Sequence, residues 1–201
     1  MRHNLDEARL LYVTNRDDWR NWLEQHYRSE REVWLVYYKK HTGKLRISYN
    51  DAVEEALCFG WIDSIVKSID GDSYAQRFSV RNPKTAYSQA NKERLKALIQ
   101  QGKVVEEVLV TLGNLAEEPF EIPSDILEAL KANAKAWENF QELSEPYIRV
   151  RIAFITAARK RPAEFEKRLR YFIEMTEKNK RFGFGGIEKV WESPSPTSLV
   201  P

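Results

Sequence analysis

The chain has 201 residues, 42% of them apolar and 31% charged, with a formal net charge of +2. That balance excludes a disordered chain, and no window approaches the ~18 uninterrupted apolar residues a membrane span requires. The small net charge assigns no partner, and the single cysteine, Cys58, excludes an internal disulfide and fits a reducing compartment.

Met1 to Glu7 carries positive charge with no apolar stretch behind it, so it does not read as a signal peptide, and the cytoplasm is the expected location. Thr14 to Asp17 has the hydroxyl-then-acid signature of a helix start, with Trp19, Trp22, Leu23 and His26 on one stripe. Val33 to Lys39 is β-branched and aromatic and predicts a strand covered on both faces. Ser48 to Asp51 repeats the cap signature. The helix it opens buries Ala52, Val53, Ala56 and Leu57 and ends at Gly60, which tolerates positive φ.

Residues 62–69 and 73–81 predict a hairpin around Asp70-Gly71, a strong short-range turn signal. A two-residue loop pairs Ile69 with Asp72 and Lys67 with Tyr74. Ile65, Lys67 and Ile69 then share a face with Tyr74, Gln76, Phe78 and Val80, and Ser64, Val66 and Ser68 share the other with Ala75, Arg77, Ser79 and Arg81. A helix opened by Thr85 or Ser88 carries Leu95, Leu98 and Ile99 inward, and another is expected from Val104 to Leu112. Beyond a connector only helices are predicted. One capped by Ser124 breaks at Asn133 and resumes its face at Trp137 and Phe140; one starts at Ser144-Glu145-Pro146; the last starts at Pro162. The fold class is therefore α+β: a small antiparallel sheet with packed helices over 1–112, a connector over 113–123, an all-helical part over 124–181, and a flexible tail over 182–201.

Charge is segregated along the chain. Residues 77–103 hold seven basic side chains against Glu93, residues 106–128 seven acids and no base, and residues 147–181 eleven bases against four acids. Acid and base stretches can pack together or stay solvated; alternatively, a basic surface can receive an anionic partner.

The segment 58–91 is where a functional surface is expected. Arg77 and Arg81 point the same way in the predicted hairpin, where one anion could engage both guanidinium forks, or each could make an internal salt bridge. Tyr87, Ser88 and Asn91 at the next helix start, whose free N–H groups favour anions, would complete that pocket, with Trp61 as a wall. Asp63, Lys67, Asp70 and Gln76 form a second polar group. Asp63 and Lys67 share a face and read as a structural ion pair; alternatively, Asp63 or Asp70 could serve as the base of an enzyme together with Lys67. Cys58, at a helix C-terminus, reads as a buried small hydrophobe rather than a nucleophile. His3, His26 and His41 lack metal-ligand spacing, and neither a phosphate-binding glycine motif nor a nucleophile elbow occurs, so no metal and no cofactor are expected. Phe182-Gly183-Phe184-Gly185-Gly186 could stack on bases, and with the basic helices it supports nucleic-acid binding as an alternative to an anionic small molecule or peptide carboxylate.

The run Ala52 to Asp63 (Ala-Val-Glu-Glu-Ala-Leu-Cys-Phe-Gly-Trp-Ile-Asp), followed by Lys67, Asp70, Gln76-Arg77-Phe78, Arg81 and Ser88 to Asn91, resembles the YdeI/OmpD-associated, or bacteriocin-protection, family. The resemblance runs from about Trp19 to Leu169 and takes in Ile122-Pro123-Ser124-Asp125 and Arg159-Lys160-Arg161-Pro162. Tyr87 stands where the family often has Trp, and Val80 where it often has Pro. The resemblance implies a bacterial protein associated with resistance to bacteriocins or cationic antimicrobial peptides and with envelope stress, without an assigned enzymatic activity.

Overall fold

A computed structural model describes residues 9–113, 115 and 119–183, and within it the chain divides into two compact units, 1–115 and 116–201. It is α+β.

The first unit is a four-stranded sheet with helices on one side. Its strands are β1 (Leu10–Leu11), β2 (Glu32–Tyr38), β3 (Trp61–Ser68) and β4 (Ser73–Val80), in the order β1-β2-β4-β3. The short β1 runs parallel to β2, so the sheet is mixed and not purely antiparallel as predicted; the other pairings are antiparallel. Helices α1 (Arg16–His26), α2 (Tyr49–Cys58), α3 (Gln89–Gln100) and α4 (Glu106–Leu112) contribute Trp19, Leu23, Val53, Leu57, Leu95, Leu98 and Val108 to one core. The sheet answers with Val33, Leu35 and Tyr37 from β2, Trp61 from β3 and Phe78 from β4.

Local chemistry sets most helix ends. Asn15, one residue after the predicted Thr14, caps α1 by accepting from the Asp18 N–H at 2.9 Å. Ser48 and Ser88 cap α2 and α3 in the same way. Gly60 has φ +71°, and a Cβ there would lie 3.1 Å from Val108 Cγ2, so the turn out of α2 needs glycine both for its backbone and for the room. Helices α1 and α2 are tied by Glu55, 1% exposed, which accepts hydrogen bonds from the Arg16 Nε and, at 2.8 Å, from Arg20. Removing one partner of such a buried pair costs about 3–5 kcal/mol. Cys58 is fully buried and its thiol pKa is pushed up to about 12 by burial, which suits a packing residue and not a nucleophile.

The hairpin departs from its predicted register in an instructive way. Trp61, Ile62 and Asp63 face Val80, Ser79 and Phe78, as a two-residue loop requires, but Val66, Lys67 and Ser68 face Gln76, Ala75 and Tyr74, one residue out of step. A bulge between Asp63 and Val66 absorbs the slip. The cause lies in the turn. The Asp70 carboxylate accepts from the Asp72 N–H, the Ser73 N–H and the Ser73 hydroxyl at 2.7–2.8 Å, and the Ile69 N–H donates to the Ser73 carbonyl, closing a longer loop over Asp70, Gly71 and Asp72.

The second unit is all helix over its described residues: α5 (Ser124–Lys131), α6 (Ala134–Gln141), α7 (Glu145–Thr156) and α8 (Pro162–Glu177). Asn133 both interrupts and restarts the chain, its side chain capping α6 by accepting from the Ala136 N–H. Ile126, Leu130, Phe140, Ile148, Ile152, Ile155 and Phe172 form a separate core. Phe182, predicted to begin a tail, is held against it: its N–H donates to the Tyr147 hydroxyl, which donates back to the Phe182 carbonyl at 3.1 Å. Residues 184–201, including Phe184 to Gly186, lie outside the described residues. Among the described residues no helix is long and apolar enough to cross a membrane.

Candidate functional site

The structure does not gather the predicted arginine site around one ligand. Arg77 is engaged by Glu32 on β2, its Nε donating at 2.8 Å, and Glu32 also takes Arg9 at 2.8 Å. Arg77 holds the Glu32 carboxyl below its usual range. Arg81 lies past the end of β4 and stacks over the Tyr87 ring at 3.6 Å, while the Ser88 hydroxyl caps α3 through the Asn91 N–H. Trp61 is no pocket wall. It is 0% exposed, packs edge-on against Trp22 and donates to the Tyr27 carbonyl at 3.3 Å.

The register slip also separates the predicted Asp63–Lys67 pair. Lys67 stands opposite Ala75 and lies over the Trp34 ring at 4.9 Å, whereas Asp63 stands opposite Phe78 on the helix-facing side. An acid–base pair of these two is ruled out by the sheet between them. Asp70 is occupied by its own turn.

A different cluster forms around Asp63. Its Oδ2 accepts from Gln76 Nε2 at 2.8 Å and from the Tyr49 hydroxyl at 2.9 Å. Tyr37 and Tyr74, opposite each other on β2 and β4, stack at 5.3 Å, and Arg46 donates to the Tyr74 hydroxyl at 2.9 Å. Arg94 on α3 donates to Asn91 at 2.8 Å and to Asn50 on α2 at 3.0 Å. Each element has a reason to be there: strand alternation puts Tyr37, Tyr74 and Gln76 on the helix-facing side, and the serine caps start α2 and α3 where Tyr49, Asn50, Asn91 and Arg94 reach it.

Two buried polar atoms of this cluster have no hydrogen-bond partner among the described residues, the Tyr37 hydroxyl and the Arg94 Nε. Leaving such a group unsatisfied costs about 1–3 kcal/mol, so each is a donor awaiting an acceptor. The base is closed, with Tyr37, Gln76 and Arg94 at 1%, 6% and 8% exposure, while Arg46 and Tyr49 at the rim are exposed. Burial, reinforced by Tyr74, Tyr49 and Asp63, raises the Tyr37 pKa. Burial and the Asp63 charge push Tyr49 up to about 12. Both tyrosines therefore remain neutral hydroxyls near neutral pH. Burial lowers the Arg94 pKa, against the pull of Tyr49, Glu54 and Asp63, and Glu54 is itself paired with Arg16 at 2.8 Å. Two guanidiniums, one carboxylate and a free hydroxyl suit binding of an anion far better than proton transfer.

Of the residues predicted from sequence, the cluster includes Asp63, Gln76 and Asn91. Sequence reading missed Tyr37, Arg46, Tyr49, Tyr74 and Arg94. The four basic side chains Arg149, Arg159, Arg168 and Lys178 of the second unit pair with Glu145, Asp125, Glu164 and Glu174, which reduces the charge left for nucleic acid. No group of three or more His, Cys, Asp or Glu able to hold a metal occurs among the described residues.

Residues 11–111 match the family described as a domain of unknown function (DUF8412), and residues 119–179 match the one described as Bacteriocin-protection, YdeI or OmpD-Associated. The resemblance read from the sequence thus holds over 119–179, where the Ile122–Asp125 and Arg159–Pro162 patterns lie. The Ala52–Asp63 run falls within the first match instead. No curated protein and no solved structure matches the chain.

Proposed function

We propose that this chain, which belongs to the family described as a domain of unknown function (DUF8412), binds a small carboxylate-bearing molecule on the helix side of its N-terminal sheet. One observation carries the reading: among the described residues the buried Tyr37 hydroxyl and Arg94 Nε lack hydrogen-bond partners, beside a cluster whose charge, Arg46 and Arg94 against Asp63, is net positive. A ligand carboxylate would accept from both donors, and Asp63 would take a donor group on the same molecule. Aromatic rings of Tyr37 and Tyr74 offer the apolar flank that small-molecule sites combine with a few placed polar groups. The match over 119–179 supports setting this binding in a bacteriocin-protection response, in which the chain sequesters or senses the ligand without turning it over.

Titration of the full chain with succinate and with glycine, followed by calorimetry and by backbone NMR, tests the proposal. Binding is expected to perturb the Tyr37 and Arg94 amides, and to weaken about tenfold in Tyr37→Phe and more in Arg94→Lys, in line with one lost hydrogen bond to a charged group. Millimolar succinate and glycine that leave these amides unmoved would overturn it.

A further inference from the structure

Three ionised side chains of the Asp63 cluster make no ion pair among the described residues. Asp63 is held by the neutral donors Gln76 and Tyr49, and both bonds fall on Oδ2, so Oδ1 accepts nothing among the described residues. Arg94, 8% exposed, donates to the neutral side chains of Asn91 and Asn50. Arg46 donates to the Tyr74 hydroxyl and lies over the Tyr37 ring at 6.0 Å. Other guanidiniums of the first unit meet carboxylates: Arg16 pairs with Asp51 and Glu54, Arg20 with Glu55, and Arg77 with Glu32. A charge taken out of water needs a partner. The buried Arg94 and the Asp63 carboxylate have room for one each.

The signs of the three charges set those of a matching ligand. Asp63 and Arg46 both act on the Tyr37 hydroxyl, and Asp63 acts on Arg94. Glu54, the other carboxylate that acts on Arg94, is already taken by Arg16. Two cations and one anion are complemented by two carboxylates and one ammonium. A plain dicarboxylate would bring like charge to Asp63, and a zwitterion with one carboxylate would leave Arg46 to water. Charge complementarity of this kind sets selectivity among ligands of similar size.

We infer that the ligand is an acidic amino acid. One carboxylate accepts from the Tyr37 hydroxyl and Arg94 Nε, the ammonium donates to Asp63 Oδ1, and the second carboxylate lies toward Arg46 at the rim. This inference rests on the carboxylate-binding reading of the same cluster and adds the class of the ligand.

The test compares L-aspartate and L-glutamate with succinate, glutarate and glycine by calorimetry on the full chain, with the Tyr37 and Arg94 amides followed by NMR. The dicarboxylates lack only the ammonium, and glycine lacks the second carboxylate. The tighter of the two amino acids is expected to bind at least about tenfold more tightly than its dicarboxylate and than glycine. Asp63→Asn keeps an oxygen for Gln76 and Tyr49 but loses the charge. It is expected to weaken the amino acid about tenfold and to tighten the dicarboxylate, opposite shifts that a damaged fold does not produce. Arg46 is exposed, and Arg46→Gln is expected to cut the preference for the amino acid over glycine about fivefold. Dicarboxylates or glycine that move the Tyr37 and Arg94 amides and bind as tightly as the amino acids would overturn this inference and leave the carboxylate reading standing. So would a folded Asp63→Asn chain that weakens both ligand types equally, or an Arg46→Gln chain with the wild-type preference. If Asp63→Asn does not fold, the Arg46→Gln preference decides alone. Amides unmoved by all of these ligands would overturn both readings.

Discussion

Tyr37 shows most directly how a site is written into this chain. Its ring is core, stacked on Tyr74 and 1% exposed, while its buried hydroxyl has no hydrogen-bond partner among the described residues. A phenylalanine would fill the same space without that cost, so Tyr37→Phe is expected to raise the stability of the first unit by about 1 kcal/mol in urea denaturation, while losing ligand affinity. A destabilised Tyr37→Phe would mean that the hydroxyl already has its partner in the free protein. The same residue explains a failure of reading. Val33 to Lys39 was recognisable as a strand from β-branched and aromatic residues, but whether a tyrosine hydroxyl within it is satisfied depends on Asp63, Tyr74 and Arg46, which arrive from elsewhere in the chain. Cys58 is the contrary case: its place at the end of α2 was enough to read it as packing.

The hairpin β3–β4 is where a local rule met a stronger local interaction. Asp70-Gly71 marked the turn correctly, and the outer half of the ribbon keeps the register a two-residue loop demands. The Asp70 side chain then draws Asp72 and Ser73 around itself, lengthening the loop by one and reversing the faces of Val66, Lys67 and Ser68. The Ser73 hydroxyl and the Asp72 and Ser73 N–H groups hold the Asp70 carboxyl below its usual range. A carboxylate whose folded pKa is depressed stabilises the fold above its unfolded value and loses that contribution as pH falls through the folded one. Protection of the Ser73 amide from hydrogen exchange is therefore expected to fall as the solution is acidified below the ordinary aspartate range. In Asp70→Ala it should be low at every pH. An Asp70→Ala hairpin with wild-type protection would show that the strands alone set the register.

The two units each close a core of their own, the first around Trp19, Leu57, Trp61 and Phe78, the second around Ile126, Phe140, Ile148 and Phe172. Each core is large enough for its segment to be expected to fold alone. A chain of residues 1–115 should retain the buried-tryptophan fluorescence of Trp19 and Trp61, and residues 116–201 should give a helical circular dichroism spectrum with a cooperative thermal transition. A non-cooperative melt of either piece would show that its core is incomplete without the rest. The family matches divide in the same way, over 11–111 and 119–179.

Helices, strands and the turn were legible because their signals are local: a serine before an amphipathic run, β-branched alternation, an Asp-Gly pair. So was the α+β class, since a strand-bearing half followed by helices alone admits little else. The site was legible only in part: Asp63, Gln76 and Asn91 were singled out, but their partners were not. It rests on where a one-residue slip turns a lysine and on which hydroxyl is left without an acceptor among the described residues. Those are differences of a few kilocalories or ångströms set by side chains distant in sequence, and they exist only once the chain has packed.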